Sequence, residues 1–285
     1  MSARPEETVD AESAARVAEH SARLFQQTLG DRLVAAYALG SLAHGGFAPA
    51  VSDIDLALVL TDRRQDDDET VRGVTHELHR KDAAYQRLSV FWSSLPALRA
   101  DREDGRFPAV DRLDLKVSGA LLLGGDVRPE VAQPGAATLL TDSVRFALRM
   151  LAPDPVVAEF HHPARLAADT RRFTKAVLLP LRFLYTAAAA DCGSTDDAIR
   201  HHLAQPAPVA AELVRAATRA RHGQPDPAEH LTGLLHAELV PLYLYYIDSC
   251  LPRLARLAPA DGDLAQGLSD WRARLLDRPE ARAPH

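Results

Sequence analysis

The stretch that most restricts the fold is residues 33–60, where two apolar runs flank a turn-rich connection. LVAAYAL occupies 33–39 and DIDLALVL occupies 53–60, with Gly40, Ser41, Gly45, Gly46 and Pro49 between them. A short unbroken apolar run is the pattern of a strand covered on both faces, although at this length periodicity alone does not separate strand from helix. In the second run the alternation puts Ile54, Leu56, Leu58 and Leu60 on one side and Asp53, Asp55, Ala57 and Val59 on the other. Residues 12–29 carry helix formers at helical spacing and 70–85 reads as a second helix. Residues 87–92 (RLSVFW) read as a third strand, and 113–123 stays open between strand and helix.

Beyond Gly135 the texture changes to long Ala/Leu/Arg-rich segments at 141–151, 164–190, 207–221, 231–257 and 264–276. Each has helical length and is bounded by Pro, Gly or a capping candidate such as Ser194/Thr195 ahead of Asp196-Asp197. The chain therefore reads as α+β, a small mixed-sheet domain over 1–135 followed by an all-helical bundle over 136–285. At 285 residues there is length for two cores, and 47% hydrophobic with 25% charged residues excludes a rod or a disordered chain.

Acidic residues outnumber basic ones 39 to 33, a formal net charge of −6, which disfavours a nucleic-acid binder working by phosphate neutralisation. Cys192 and Cys250 stand 58 residues apart with no metal-site company, and read as buried reduced thiols. The polar, acidic residues 1–10 do not read as a secretory signal, and Glu238, Asp248, Arg253 and Arg256 interrupt the most apolar helix, so no membrane association is expected and a cytoplasmic location is. The pairs His161-His162 and His201-His202 lack the cysteine or carboxylate partners of a zinc site and read as surface or packing histidines. The tyrosines at 243, 245 and 246, with Phe183 and Tyr185, have helical spacing and read first as core, second as a pocket lining.

The chemistry concentrates between Leu39 and Leu56. Asp53 and Asp55, two apart on a strand, point to one face, and two carboxylates so placed call for a hard cation. Mg²⁺ takes oxygen ligands and shares its shell with substrate phosphates, and a carboxylate pair can hold two such ions about 4 Å apart for in-line displacement. Gly40, at a strand end, lets a phosphate approach the backbone, and Ser41 adds a hydroxyl donor. With 12 residues between Gly40 and Asp53, the two elements together point to a nucleotide and metal site.

Gly40-Ser41 followed by Asp53-Ile54-Asp55-Leu56 resembles the signature of the DNA polymerase β-like nucleotidyltransferase superfamily. The layout, a catalytic α/β domain ahead of a helical bundle, resembles the bacterial aminoglycoside adenylyltransferases. So do Lys175–Tyr185 and the Thr195-Asp196-Asp197-Ala198 turn. The resemblance implies transfer of AMP from ATP to a hydroxyl of a small aminoglycoside-like acceptor, with two Mg²⁺ ions on Asp53 and Asp55. It also implies a third carboxylate on a neighbouring strand, where this sequence has Ser89, with Asp114 the nearest acidic alternative. The bundle-turn lysine of that group is replaced near Thr195, leaving Lys175 or Arg171-Arg172 to supply phosphate charge. The alternative reading is a nucleotide-binding protein of the same fold that does not catalyse.

Overall fold

The computed structural model describes residues 9–189, 191–257 and 262–277. Its backbone contacts divide into two units, Met1–Pro134 and Gly135–His285. In the first, Asp10 opens α1 (Ala11–Leu29) by accepting the Ser13 N–H at 2.7 Å, a donor the helix itself leaves unpaired. The helix turns Ala14, Val17, Ala18, Ala22 and Phe25 inward, an apolar stripe at helical spacing.

Four strands, β1 (Leu33–Leu39), β2 (Ile54–Leu60), β3 (Leu88–Ser94) and β4 (Ala120–Gly124), form one mixed sheet in the order β3-β2-β1-β4. β1 runs antiparallel to β2 and β4, and β2 runs parallel to β3. A single helical turn, α2 (Gly40–Ala43), follows β1, and α3 (Asp67–His79) makes the crossover between the parallel pair. Ile54, Leu56, Leu58 and Leu60 pack on one face with residues of α1 and α3. Ala57 and Val59 pack on the other with Tyr37, Leu39, Phe91, Phe107 and Leu115. Both faces are covered, which is why β2 reads as nearly continuous apolar sequence. A one-residue slip of β2 would turn Asp55 into the α1 face and expel its leucines, so burial sets the register that aims Asp55.

Several boundaries differ from the sequence reading. The helix expected at 70–85 is α3, which starts earlier and stops at His79, after which Asp82 holds a turn by accepting the Ala84 N–H at 2.8 Å. The acidic run 66–69 forms its first turn. Asp67 there is fully buried, its oxygens 2.8 and 3.1 Å from the Arg32 guanidinium and 2.6 Å from the Arg64 N–H. Burial by itself would raise the Asp67 pKa, but the Arg32 hydrogen bonds, the Arg64 amide and the charges of Arg32 and Arg63 outweigh it and hold the carboxyl below its ordinary value.

The open stretch 113–123 is both structures in succession. After α4 (Leu95–Arg99), α5 (Ala109–Ser118) ends where the Gly119 N–H closes on the carbonyls of Asp114 and Leu115, and β4 begins one residue later.

The second unit is helical: α6 (Ala136–Met150), α7 (Asp154–His161), α8 (Ala164–Ala167), α9 (Thr170–Ala189), α10 (Thr195–Leu203), α11 (Ala211–Arg221), α12 (Ala228–Leu254) and α13 (Gly262–Leu276). The helix expected at 164–190 is broken, because Asp169 accepts the Arg172 N–H at 3.0 Å and restarts the chain as α9. Ser194 caps α10 in a reciprocal box: its hydroxyl accepts the Asp197 N–H at 3.1 Å while Asp197 accepts the Ser194 N–H at 2.8 Å.

Tyr243 and Tyr246 are core residues, not a pocket lining. The Tyr243 ring centroid lies 4.6 Å from that of Phe160 and 5.5 Å from that of Trp271, both rings tilted against it, and its hydroxyl donates to the Ala176 carbonyl at 2.7 Å. His202, buried in this unit, donates to the Val209 carbonyl at 2.8 Å, a packing histidine as the sequence suggests. Cys192 and Cys250 are buried, and no described helix is long and apolar enough to cross a membrane.

Candidate functional site

β1 delivers the chain to Gly40 and β2 carries it back through Asp55, whose antiparallel partner is Leu39. Gly40 has φ +59, in the left-handed region that disfavours a side chain. A Cβ at Gly40 would lie 2.6 Å from Asp55 Oδ2. Glycine is thus required twice over, for its backbone conformation and for the space beside the carboxylate. Asp53 precedes β2, and both acids are half-buried at the mouth of the sheet.

The turn is closed by its own polar groups. The His44 N–H donates to the Gly40 carbonyl at 3.0 Å, and the Gly46 N–H to that of Ser41 at 2.9 Å. Ser41 Oγ donates to Ser52 Oγ at 3.0 Å, and Ser52 Oγ also accepts the Ala48 N–H at 2.9 Å. Ser52 therefore fixes where the Ser41 hydroxyl stands, two residues before the Asp-x-Asp segment begins its strand.

Asp114 enters this site as a strut. On α5, 6% exposed, it accepts the Gly40 N–H at Oδ2 (2.7 Å), while Oδ1 lies 2.9 Å from His44 Nε2. A carboxylate holding both ends of α2 in this way is committed to the shape of the glycine turn. The Gly40 amide is committed with it, so what Gly40 offers an incoming phosphate is the absence of a Cβ rather than a hydrogen bond.

Ser89 is the β3 partner of Asp55 in the parallel register, so the sheet position next to Asp55 carries a hydroxyl. Lys175 lies on α9 of the helical unit, as do Arg171 and Arg172, the latter paired with Glu159 at 2.5 Å. The β1–β2 pair and α5 therefore bring Gly40, Ser41, Asp53, Asp55 and Asp114 together within the first unit. Sequence reasoning did not single out Ser52 or the His44–Asp114 pair as parts of this turn. Ser52 was within reach as the residue before Asp53, whereas the pairing spans 70 residues and leaves no local pattern.

The donor chemistry fits a magnesium ion. Asp53 and Asp55 offer hard oxygen ligands, and Asp55 Oδ2 lies 2.6 Å from the point a Cβ on Gly40 would occupy, so the glycine is what admits the carboxylate there. Two carboxylates with the remaining positions left to water and phosphate oxygens is the usual protein share of a magnesium shell.

A mixed sheet of this order, its glycine turn set against an Asp-x-Asp strand and a helical unit following, is an arrangement shared with a solved adenyltransferase. Among solved structures, spectinomycin adenyltransferase AAD(9) from Enterococcus faecialis, crystallised with ATP and spectinomycin, matches 95% of this chain and 100% of its own, with a TM-score of 0.50 and 10% identity. At that identity the likeness is one of fold. No family model matches the sequence, and no curated protein does.

Proposed function

We propose that the protein is a nucleotidyltransferase that moves AMP from ATP to a hydroxyl group of a small, aminoglycoside-like acceptor. The observation that carries this reading is the Gly40 turn, with its vacated Cβ position 2.6 Å from Asp55 Oδ2. Such an arrangement lets a phosphate oxygen reach a carboxylate-bound cation without a side chain intervening. The solved neighbour, whose crystals held ATP and spectinomycin, supports a nucleotide and a hydroxylated small molecule as the two substrates.

In this reading Asp53 and Asp55 hold magnesium. The metal supplies charge neutralisation for the leaving pyrophosphate and for the acceptor oxygen. Gly40 clears the approach, and Ser41, whose hydroxyl donates to Ser52 in the free protein, turns that hydroxyl to the triphosphate on binding. Asp114 holds the turn, acting on the reaction through Gly40. A cytoplasmic setting belongs to the same reading.

One observation favours a second reading, that of a nucleotide-binding protein without turnover. The slot beside Asp55 holds Ser89, and Asp114 is occupied with Gly40 and His44, so neither supplies a ready base for the acceptor hydroxyl. Incubation with α-labelled ATP, magnesium and a panel of hydroxylated cationic compounds decides between them. Labelled acceptor with pyrophosphate release supports the transferase. Tight binding of Mg-ATP with no pyrophosphate across the panel supports the binder.

A further inference from the structure

The sheet position beside Asp55 carries no carboxylate, and the fold brings a guanidinium to it instead. Asp55 and Ser89 are register partners in β2 and β3, so their side chains leave the sheet on the same face. Phe91, two residues along β3, shares that face and packs there with Phe107 and Leu115. Arg106 touches both: its Cζ lies 5.1 Å from the Phe91 ring centroid, and its Nη2 lies 3.4 Å from Ser89 Oγ. The guanidinium therefore extends the row that Asp55 and Ser89 begin.

Its position is held by more than one contact. The Trp92 N–H donates to the Arg106 carbonyl at 3.0 Å in an isolated antiparallel bridge, and Arg106 Nη1 donates to the Val90 carbonyl. Gly105 permits that approach, since a Cβ there would fall 2.4 Å from the Trp92 carbonyl oxygen. The side chain is nevertheless exposed. Of the five N–H donors of a guanidinium these contacts use two.

Two consequences follow from the chemistry. A second divalent cation beside Asp55 needs oxygen ligands of its own, and Ser89 supplies no charge while Arg106 supplies charge of the wrong sign. A guanidinium, by contrast, matches phosphate oxygens in both charge and shape. We propose that the site takes a single divalent cation, at Asp53 and Asp55, and that Arg106 binds a phosphate oxygen of the nucleoside triphosphate in place of a second cation. The proposal rests on the nucleotidyltransferase reading and deepens it by assigning the charge beside Ser89.

The test uses the full chain, Mn²⁺ as a countable cation and a non-hydrolysable ATP analogue. Paramagnetic resonance should count about one Mn²⁺ per chain in the ternary complex, and a count of two in the parent protein overturns the proposal. Calorimetry should find the Mg²⁺–analogue complex bound about 10- to 100-fold more weakly by Arg106→Gln, the range for one charge-assisted contact, with adenosine binding unchanged. Parental affinity in Arg106→Gln also overturns it. If that variant does not fold, the cation count on the parent decides alone. Asp53→Asn, run in parallel, separates the two levels. Loss of magnesium-dependent binding there with parental affinity in Arg106→Gln sinks only the Arg106 assignment. Parental affinity in Asp53→Asn sinks the nucleotidyltransferase reading beneath it.

Discussion

Replacing Gly40 by alanine strikes the site in two separable ways. An alanine at φ +59 costs about 1–3 kcal/mol of backbone energy, the amount depending on ψ as well. At Gly40 there is also a collision: the new Cβ would meet Asp55 Oδ2 at 2.6 Å, and ordinary contact begins near 3.4 Å, so the carboxylate must retreat by about 0.8 Å. Misplacing a catalytic group by about 1 Å is enough to cost on the order of 100-fold in rate. Gly30→Ala is the control, because Gly30 has the same φ of +59 with nothing within 4 Å of its Cβ position. Both variants should lose about 1–3 kcal/mol in urea unfolding. Only Gly40→Ala should weaken Mg-ATP binding, by about 10- to 100-fold in calorimetry. Equal affinity in the two variants would refute the argument that the glycine exists to clear space beside Asp55.

Three further outcomes follow from the same structure. Ser89→Glu puts a carboxylate in register with Asp55 and should raise AMP transfer about tenfold, less than a full general-base contribution because Arg106 competes for the new charge; unchanged pyrophosphate release would remove that slot as the base position. Asp67→Asn breaks a buried ion pair and should cost about 3 kcal/mol in chemical denaturation, with Arg32 keeping Asp62 as a partner; a loss below about 0.5 kcal/mol would contradict the role given to the pair. Because the Asp67 pKa is depressed in the folded state, its stabilisation is full above the ordinary carboxylate value of 3.8 and disappears as pH falls through the lower folded value. The parent should therefore lose more melting temperature than Asp67→Asn on acidification below about pH 4, and parallel acid profiles would speak against the linkage.

Much of the first unit was legible because local pattern and tertiary burial agree there. β1 and β2 are apolar throughout since both faces are covered, and α1 follows from its stripe and the Asp10 cap. β4 was obscured because it is a short exposed edge strand beginning one residue after a helix, so no alternation separates it from α5. α7 and α10 were missed as helices in a stretch whose dominant signal was length, although the Ser194 cap of α10 was visible. At the site, Gly40, Ser41, Asp53 and Asp55 form one contiguous signature, while Asp114 and Arg106 arrive from distant segments. In the sequence only the sign of Asp114 is visible, which makes it a candidate third acid; that its oxygens hold the Gly40 amide and meet His44 is a fact of three-dimensional contact.

The central claim is that Asp53 and Asp55 bind magnesium against the phosphates of ATP. The most direct measurement is calorimetric titration of a non-hydrolysable ATP analogue into the parent and into the Asp53→Asn/Asp55→Asn double variant, each with and without Mg²⁺. The parent should bind at least about 100-fold more tightly with the metal, and the double variant, folded to the same melting temperature within a few degrees, should show no metal dependence. Metal-independent binding by the parent, or parental magnesium dependence in the double variant, would contradict the account.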